Sequence, residues 1–378
     1  MRVAFYAPLK SPDHPVPSGD RQIARLLLQA LRLAGHDATL ASRFRSFDRC
    51  GDRDRQARLH ALGARVARRL VARLRDAAPP DVWFTYHLHH KAPDLLGPAV
   101  SRSLHIPYVV AEASLAPRQR DGPWAAGHAL ARDAIRAAAI VIALNPDDVE
   151  QVRLARHAGA PAASLAPFID VAAFAGGVAH ERRTRAARDA PRLVAIAMMR
   201  DGAKLASYRV LAAALSRLRD LPWSLRIIGD GPARREVEAA FAGLHDRVSF
   251  LGARAPADIA ALLGDSDVLV WPAIDEAIGV VFLEAQACAV PVVGGRSPGV
   301  AGVVAVERTG LLAHSGSVED FAAATRRLLT DARLRERMGA AAAAYVRERH
   351  DLPAAAAALD AILRGVVAQP SGLAEGIR

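Results

Sequence analysis

The sequence is poor in cysteine, in aromatic side chains and in long apolar runs. Its two cysteines, Cys50 and Cys288, stand too far apart in 378 residues to spell a metal knuckle or a disulfide framework. A reducing, cytoplasmic setting is therefore expected. Aromatics make up only 5% of the chain, so there is no ring-studded basic surface of the kind that stacks on nucleic-acid bases. No apolar stretch reaches the about 18 residues that a spanning helix needs. Met1-Arg2-Val3-Ala4-Phe5-Tyr6 runs straight into a strand pattern, so no signal peptide is expected.

The residues that are plentiful suit an α/β protein long enough for two domains. Apolar residues make up 52% of the chain, and the formal charge is +11. Alanine and arginine dominate. The charge points to anionic partners (a nucleotide, a membrane surface or a nucleic acid) without choosing among them. Strand-like and helix-like segments alternate almost throughout, which predicts a doubly wound architecture. In the first half, strands are expected at Val3–Tyr6, Ala38–Leu40, Val82–Tyr86, Pro107–Ala111 and Ile140–Leu144. A helix is expected at Gln22–Ala34, stopped by Gly35, and Asn145 with Pro146 reads as a helix start. In the second half, strands are expected at Leu193–Met198, Leu225–Ile228, Val248–Leu251, Val268–Trp271 and Val292–Gly294. Ala175–Pro191 is rich in small residues and arginine, has no clear period, and reads as a linker or exposed loop. The tail Gly365–Arg378 reads as frayed.

Trp271 to Val293 carries the most chemistry. Asp267-Val268-Leu269-Val270 is a buried parallel strand by composition, Glu276 falls in the loop after it, and Val280–Ala289 reads as a helix that carries Glu284 one turn in. A strand, a glycine turn and a helix N-terminus together form an anion site. Two carboxylates beside such a site suit sugar hydroxyls, with Glu284 accepting from a ribose and Glu276 from a sugar beyond the phosphates. Two solvated glutamates on an amphipathic helix are the plainer alternative.

The run Glu276-Ala277-Ile278-Gly279-Val280-Val281-Phe282-Leu283-Glu284-Ala285 resembles the donor-site signature of retaining GT-B glycosyltransferases, specifically glycosyltransferase family 4 (group 1). Cys288-Ala289-Val290-Pro291-Val292-Val293 is similar to the family's next segment, with Ala289 where glycine is usual. Pro167-Phe168-Ile169-Asp170 with Phe174 resembles the family's domain-joining segment. The resemblance covers nearly all of Arg2 to about Asp351 and implies an α/β GT-B fold, two Rossmann-like domains facing across a central cleft. The boundaries it suggests are 1–170 for an acceptor-side domain, 171–191 for a linker, 192–350 for a nucleotide-sugar donor domain, and 351–378 for a C-terminal helix and flexible tail. It also implies that the helices Ala332–Glu348 and Pro353–Arg364 pack back on the first domain.

By the same resemblance, Arg200 and Lys204 hold the donor diphosphate, although their separation is one residue shorter than the family's. Physically, two cations at the end of a strand neutralise a leaving diphosphate, and cations at a helix start otherwise oppose the helix dipole. Gly229-Asp230-Gly231-Pro232 resembles the turn that borders the base, and such a turn is equally a plain strand-to-helix connector. Ile278, Gly279 and Val280 would lie against the donor. Gly19 matches the first of two family glycines after strand one. Asp20 replaces the second, where it would cap the helix or bind acceptor hydroxyls. His87 and Glu112 end strands at the edge where open sheets bind ligands, and Glu112 stands where relatives often have a histidine that contacts the transferred sugar. The histidines His87, His89 and His90 equally read as hydrogen-bonded in a cleft wall. No compact metal-ligand set accompanies them.

Arg53–Arg75 is a basic amphipathic segment, with Leu59, Leu62, Val66, Leu70 and Leu74 at helical spacing among arginines. The stripe reads as core-facing, with weak contact between the arginines and an anionic membrane as a further hypothesis. The implied activity is transfer of a hexose-type sugar, with retention, from a nucleoside diphosphate to a hydroxyl of a saccharide or lipid-linked acceptor. It would need no metal or other cofactor and no nucleic-acid partner, and a role in cell-envelope glycans made at the inner face of the membrane would suit it. The alternatives are a sugar-nucleotide epimerase on the same fold, a degenerate sugar-nucleotide-binding protein, and a non-catalytic nucleic-acid binder.

Overall fold

The computed structural model describes residues 1–16, 18–145, 149, 152–153, 161–174 and 190–368. The chain divides into two compact units: Met1–Ala166 together with Pro353–Arg378, and Pro167–Leu352. Each is a six-stranded parallel sheet flanked by helices.

In the first unit the sheet order is β2-β1-β3-β4-β5-β6. The strands are β1 (Arg2–Tyr6), β2 (Asp37–Ser42), β3 (Val82–Leu88), β4 (Tyr108–Ala113), β5 (Ile140–Ala143) and β6 (Ala162–Ser164). β3 and β4 are buried along almost their whole length, as parallel strands covered on both faces must be. Helix α1 (Gly19–Leu33) begins three residues before the sequence expectation, because the Ser18 hydroxyl accepts from Arg21 N at 3.2 Å and caps it. It ends as expected at Gly35. That residue takes φ +80°, its N–H reaches Arg32 O, and His36 N reaches Leu31 O, the paired bonds of a Schellman ending.

Helix α2 (Arg53–Asp76) is the basic segment. Its buried face is Gly63, Ala67 and Leu70. Leu62, which periodicity assigns to the apolar stripe, is exposed instead. Gly63 sets the face, since a Cβ there would stand 2.8 Å from Leu95 Cβ. Helices α3 (Gly97–Leu104) and α4 (Ala125–Ala137) come next. Asn145 is described, but the helix start expected at Pro146 falls outside the described residues.

In the second unit the order is β12-β11-β10-β7-β8-β9. Its strands are β7 (Arg192–Ile196), β8 (Ser224–Ile228), β9 (Val248–Gly252), β10 (Val268–Trp271), β11 (Val292–Gly295) and β12 (Gly310–Ala313). β6 and β12 have no counterpart in the sequence expectations: Ala162-Ala163-Ser164 and Gly310-Leu311-Leu312-Ala313 lack β-branched residues, and only pairing to a neighbour makes them strands. Helices α5 (Ala203–Ser216), α6 (Arg234–Ala240), α7 (Pro256–Gly264), α8 (Val280–Ala287), α9 (Pro298–Ala301), α10 (Val318–Thr330) and α11 (Ala332–Arg349) surround this sheet. α8 stops two residues short of the expected Ala289, which adopts φ +56°. That left-handed backbone is the physical reason glycine suits the position.

The chain crosses between the units twice, and the two crossing segments pair with each other. Ile169 N donates to His350 O, Leu352 N donates to Ile169 O, and His350 Nδ1 lies 2.7 Å from Pro167 O. After the second crossing comes α12 (Leu352–Ala368). The expectation that both C-terminal helices join the first unit needs correction. Residues from Pro353 do so, whereas α11 belongs to the second. There its Gly339 packs so tightly that a Cβ would stand 2.4 Å from Ala289 O. Gly365, expected to begin a frayed tail, lies inside α12. Residues 369–378 and the expected linker residues 175–189 fall outside the described residues.

Candidate functional site

Each sheet has a point at which successive connections leave in opposite directions, and open sheets bind ligands outside the strand ends at that point. In the second unit it lies between β7 and β10, which pair in parallel. Lys204 is the second residue of α5, entered from β7, and Glu276 lies in the loop after β10. Lys204 Nζ stands 2.5 Å from Glu276 Oε2, with both side chains partly open to solvent. The ammonium also lies over the Trp271 ring, 5.5 Å from its centroid. A cation in the first turn of a helix is unfavourable by itself, and Glu276 offsets it.

The loops that carry this pair are fixed by backbone and hydroxyl contacts. Ser207 on α5 accepts from Ile274 N at 3.0 Å and donates to Ala203 O at 2.8 Å. Tyr208 donates to Ala197 O at 2.8 Å and packs edge-on against Trp271. Gly229 and Gly231 lie against the same segment. A Cβ on Gly229 would stand 1.9 Å from Ala197 O, and one on Gly231 would stand 2.1 Å from Met199 O. Met199 N donates to Asp230 O, and Ala233 N to Met199 O. The Asp230 carboxylate is occupied locally, accepting from Gly231 N at 2.8 Å and pairing with Arg234 at 3.1 Å. The Gly-Asp-Gly-Pro turn therefore buttresses the loop that leads to Lys204.

Ile278, Gly279 and Val280 lead into α8. Gly279 takes φ +74° as the residue before the helix, and no side chain caps the first turn; Phe282 N donates to Gly279 O, which leaves the N–H groups of Val280 and Val281 available to a ligand. Gly299 lets the next loop come into backbone contact here, since a Cβ would lie 2.2 Å from Ala277 C. The carboxylate of Glu284, one turn into α8, has no hydrogen bond or ion pair among the described residues, while its backbone carbonyl accepts from Cys288 N. Burial pushes its carboxyl up to about 7. Arg200 is exposed on the loop before α5, and its side chain likewise has no partner among the described residues. Lys204, Glu276, Gly279 and Glu284 are therefore carried by two adjacent βα units, while Gly229, Asp230 and Gly231 shape their support.

In the first unit the corresponding point lies between β1 and β3. Asp20, in the first turn of α1, has Oδ1 3.0 Å from His87 Nδ1 at the end of β3. Burial pushes the Asp20 carboxyl up, but the His87 hydrogen bond and charge outweigh it and hold the group below its ordinary value. His87 and Glu112 both adopt left-handed backbone, at φ +57° and +60°, on adjacent strands at the same level of the sheet. Such conformations are costly for side-chain-bearing residues and concentrate at functional sites. Glu112 is buried and accepts from Leu144 N at 3.0 Å. Gly19 has nothing within 4 Å of a built Cβ, so the space beside its backbone is open on the protein's side. Helix capping, one of the two roles open to Asp20, falls to Ser18, and Asp20 holds His87 instead. Sequence marks Asp20 as a departure, but its partner is 67 residues away. Among the described residues no group of three or more His, Cys, Asp or Glu is placed to hold a metal, and no helix is long and apolar enough to cross a membrane.

Comparison with known proteins bears on the fold of both units. Residues 190–331, within the second unit, match the family model described as "Glycosyl transferases group 1". The D-inositol 3-phosphate glycosyltransferase of Kineococcus radiotolerans is 31% identical over 266 residues, which span 64% of this chain and 60% of that protein. Sucrose-phosphate synthase from Thermosynechococcus elongatus superposes with a TM-score of 0.77 at 18% identity, covering 97% of this chain and 99% of that one. Anabaena Alr3699/HepE, solved in complex with UDP, gives a TM-score of 0.74 at 16% identity, covering 97% and 100%. The fold is thus the two-domain α/β GT-B fold. The chain spans between 23% and 60% of the length of the curated relatives it matches.

Proposed function

We propose that the protein is a glycosyltransferase that moves a hexose-type sugar from a nucleoside diphosphate to an acceptor hydroxyl with retention at the anomeric carbon. The observation that carries this reading is the grouping of Lys204, Glu276, an α8 N-terminus without a side-chain cap and a Glu284 carboxylate without a partner among the described residues, on two adjacent βα units. In the reaction the bond from the anomeric carbon to the diphosphate oxygen breaks, and a bond from that carbon to the acceptor oxygen forms. The departing diphosphate carries away the bonding electrons and takes up the acceptor proton. Lys204 and Arg200 supply positive charge where negative charge develops, which is usually the largest catalytic contribution. First-turn N–H groups of α8 add to it. Glu284 accepts from the ribose hydroxyls, Glu276 from the hexose. His87, held by Asp20, and Glu112 serve the transferred sugar or the acceptor.

No metal is invoked, because the cations and backbone donors already supply the leaving-group charge. Structural neighbours include a protein solved with UDP and with UDP-glucose, and relatives include transferases named for D-inositol 3-phosphate and for α-D-kanosaminyl transfer. They favour a nucleotide-sugar donor and a hydroxyl-bearing acceptor here. A cytoplasmic setting with an envelope glycan or lipid-linked acceptor suits the net charge of +11. The exposed Arg58, Arg65, Arg68 and Arg69 of α2 would give weak contact with anionic lipid; co-sedimentation with phosphatidylglycerol vesicles at low salt tests that contact.

The activity is tested by thermal stabilisation with UDP-, GDP- and ADP-sugars, wild type beside Glu284→Ala, and then by NMR of the product with a responding donor. Saturable stabilisation by one donor, lost in the variant, with product of retained configuration, is the expected result. Turnover of the donor without acceptor would replace this reading by the epimerase. No stabilisation by any donor would overturn donor binding.

A further inference from the structure

The first unit holds a cavity of about 450 Å³ between the start of α2, the turn after β3 and the start of α4. That is the size of a small-molecule site. Its walls are locked together. Ser46 Oγ donates to Pro93 O at 2.7 Å, Asp48 N to Lys91 O at 2.8 Å, and Trp124 Nε1 to Asp48 O at 3.3 Å. Gln56 Nε2 bridges Asp48 Oδ2 at 2.8 Å and Pro123 O at 3.1 Å. Gly127 admits α4 against the turn, since a Cβ would lie 2.1 Å from His90 O, and Gly51 does the same against Pro123 at 2.4 Å. The cavity is therefore built into the fold and is not a packing defect.

Its chemistry is two-sided. Leu59, Leu95, Ala57 and Leu130 give apolar wall, while Arg53, His60, His90 and Lys91 bring basic groups. The one carboxylate in the lining, Asp48, is already occupied by Gln56 and by Cys50 N, with Arg55 3.9 Å away. Arg53 and Lys91 have no carboxylate partner among the described residues, and Lys91 is held over the Trp124 ring at 4.7 Å. The buried Nδ1 of His90 also lacks a hydrogen-bond partner among the described residues. Two unpaired cations beside apolar wall in a rigid cavity select a molecule with an apolar body and an anionic group.

We propose that this cavity binds a phosphate monoester or a carboxylic acid of that kind, with the anion on Arg53 and Lys91. In the glycosyl-transfer reading this molecule is the acceptor, and that role, though not the binding, rests on that reading.

The full chain is titrated below micelle-forming concentration with octyl phosphate, octanoate, inorganic phosphate and octyl glucoside, reading thermal shift and tryptophan fluorescence. Octyl phosphate or octanoate should bind saturably and more tightly than inorganic phosphate or octyl glucoside. Arg53→Ala with Lys91→Ala should weaken the anion at least tenfold, Lys91→Arg should recover part of the loss, and Ala57→Trp should block the cavity. Equal affinity in wild type and the double variant, equal binding of inorganic phosphate, or no saturable binding would overturn the proposal. Circular dichroism checks that each variant is folded. The same samples are titrated with UDP-glucose and the other donors. Donor binding without amphiphile binding removes the cavity proposal alone. Amphiphile binding without any donor binding leaves the cavity standing and removes its acceptor role together with the transferase reading.

Discussion

Lys204 Nζ and Glu276 Oε2 stand 2.5 Å apart although 72 residues separate them in sequence. They meet because β7 and β10 are neighbours in the sheet, so the loops leaving these strands emerge side by side. Asp20 and His87 repeat the relationship in the other unit, between the loops of β1 and β3. Each pair marks the point in its sheet where the connections part and open sheets bind ligands.

Lys204→Ala should lower kcat by about 10²–10³-fold, the scale of losing one charge-stabilising group. Its effect on stability should stay within about 1 kcal/mol, because the pair is partly solvated. Initial rates and thermal unfolding of Lys204→Ala, Glu276→Gln and the double variant measure both effects. Wild-type activity in Lys204→Ala would remove it from the site.

Glu284 predicts a pH dependence of stability with a definite sign. Its carboxyl titrates near 7 in the folded chain but near the ordinary 4.3 when unfolded. Between those values the folded state binds more protons, so this residue's contribution falls as pH rises from about 4.5 to about 7. Glu284→Gln should therefore be more stable than wild type at pH 8, by on the order of 1–3 kcal/mol, with the difference vanishing near pH 4. Donor affinity should rise across the same interval in wild type, since the ionised carboxylate accepts two hydroxyl hydrogens, and should be flat in the variant. Parallel melting curves at pH 4, 6 and 8 decide the first point, and calorimetric titration with the donor the second.

Gly229→Ala would place a methyl 1.9 Å from Ala197 O at φ +143°, and should destabilise the second unit by about 2 kcal/mol or more. Gly202→Ala, at φ +78° and ψ −134° with open space around it, should lose about 1–3 kcal/mol, from backbone strain alone. Comparing their melting temperatures separates contact from conformation; equal losses would contradict the close approach.

His87→Gly and Glu112→Gly both relieve a left-handed backbone but should differ in outcome. Glu112→Gly leaves Leu144 N without its acceptor, at about 1–3 kcal/mol. His87→Gly should stay within about 1 kcal/mol of wild type while losing transfer activity. Unaltered activity in a well-folded His87→Gly would exclude a catalytic part for this side chain.

The sequence by itself determined the alternation of strands and helices, because apolar runs and glycine or serine punctuation act locally. It also determined the run from Glu276 to Glu284, whose two carboxylates lie eight positions apart on one loop and helix. It did not show that Ala289 takes a glycine-like backbone, that Ala162–Ser164 and Gly310–Ala313 are strands, or that α11 stays with the second unit while α12 joins the first. Short strands without β-branched residues exist only by pairing, and the unit a helix joins depends on which surface receives its apolar face. Tertiary structure alone joined Lys204 to Glu276 and Asp20 to His87, enclosed the cavity beside Lys91, and withdrew Glu284 far enough from water to move its titration. All of these depend on groups distant in the chain being brought within a few ångströms, and strand order, which local sequence does not encode, sets that proximity.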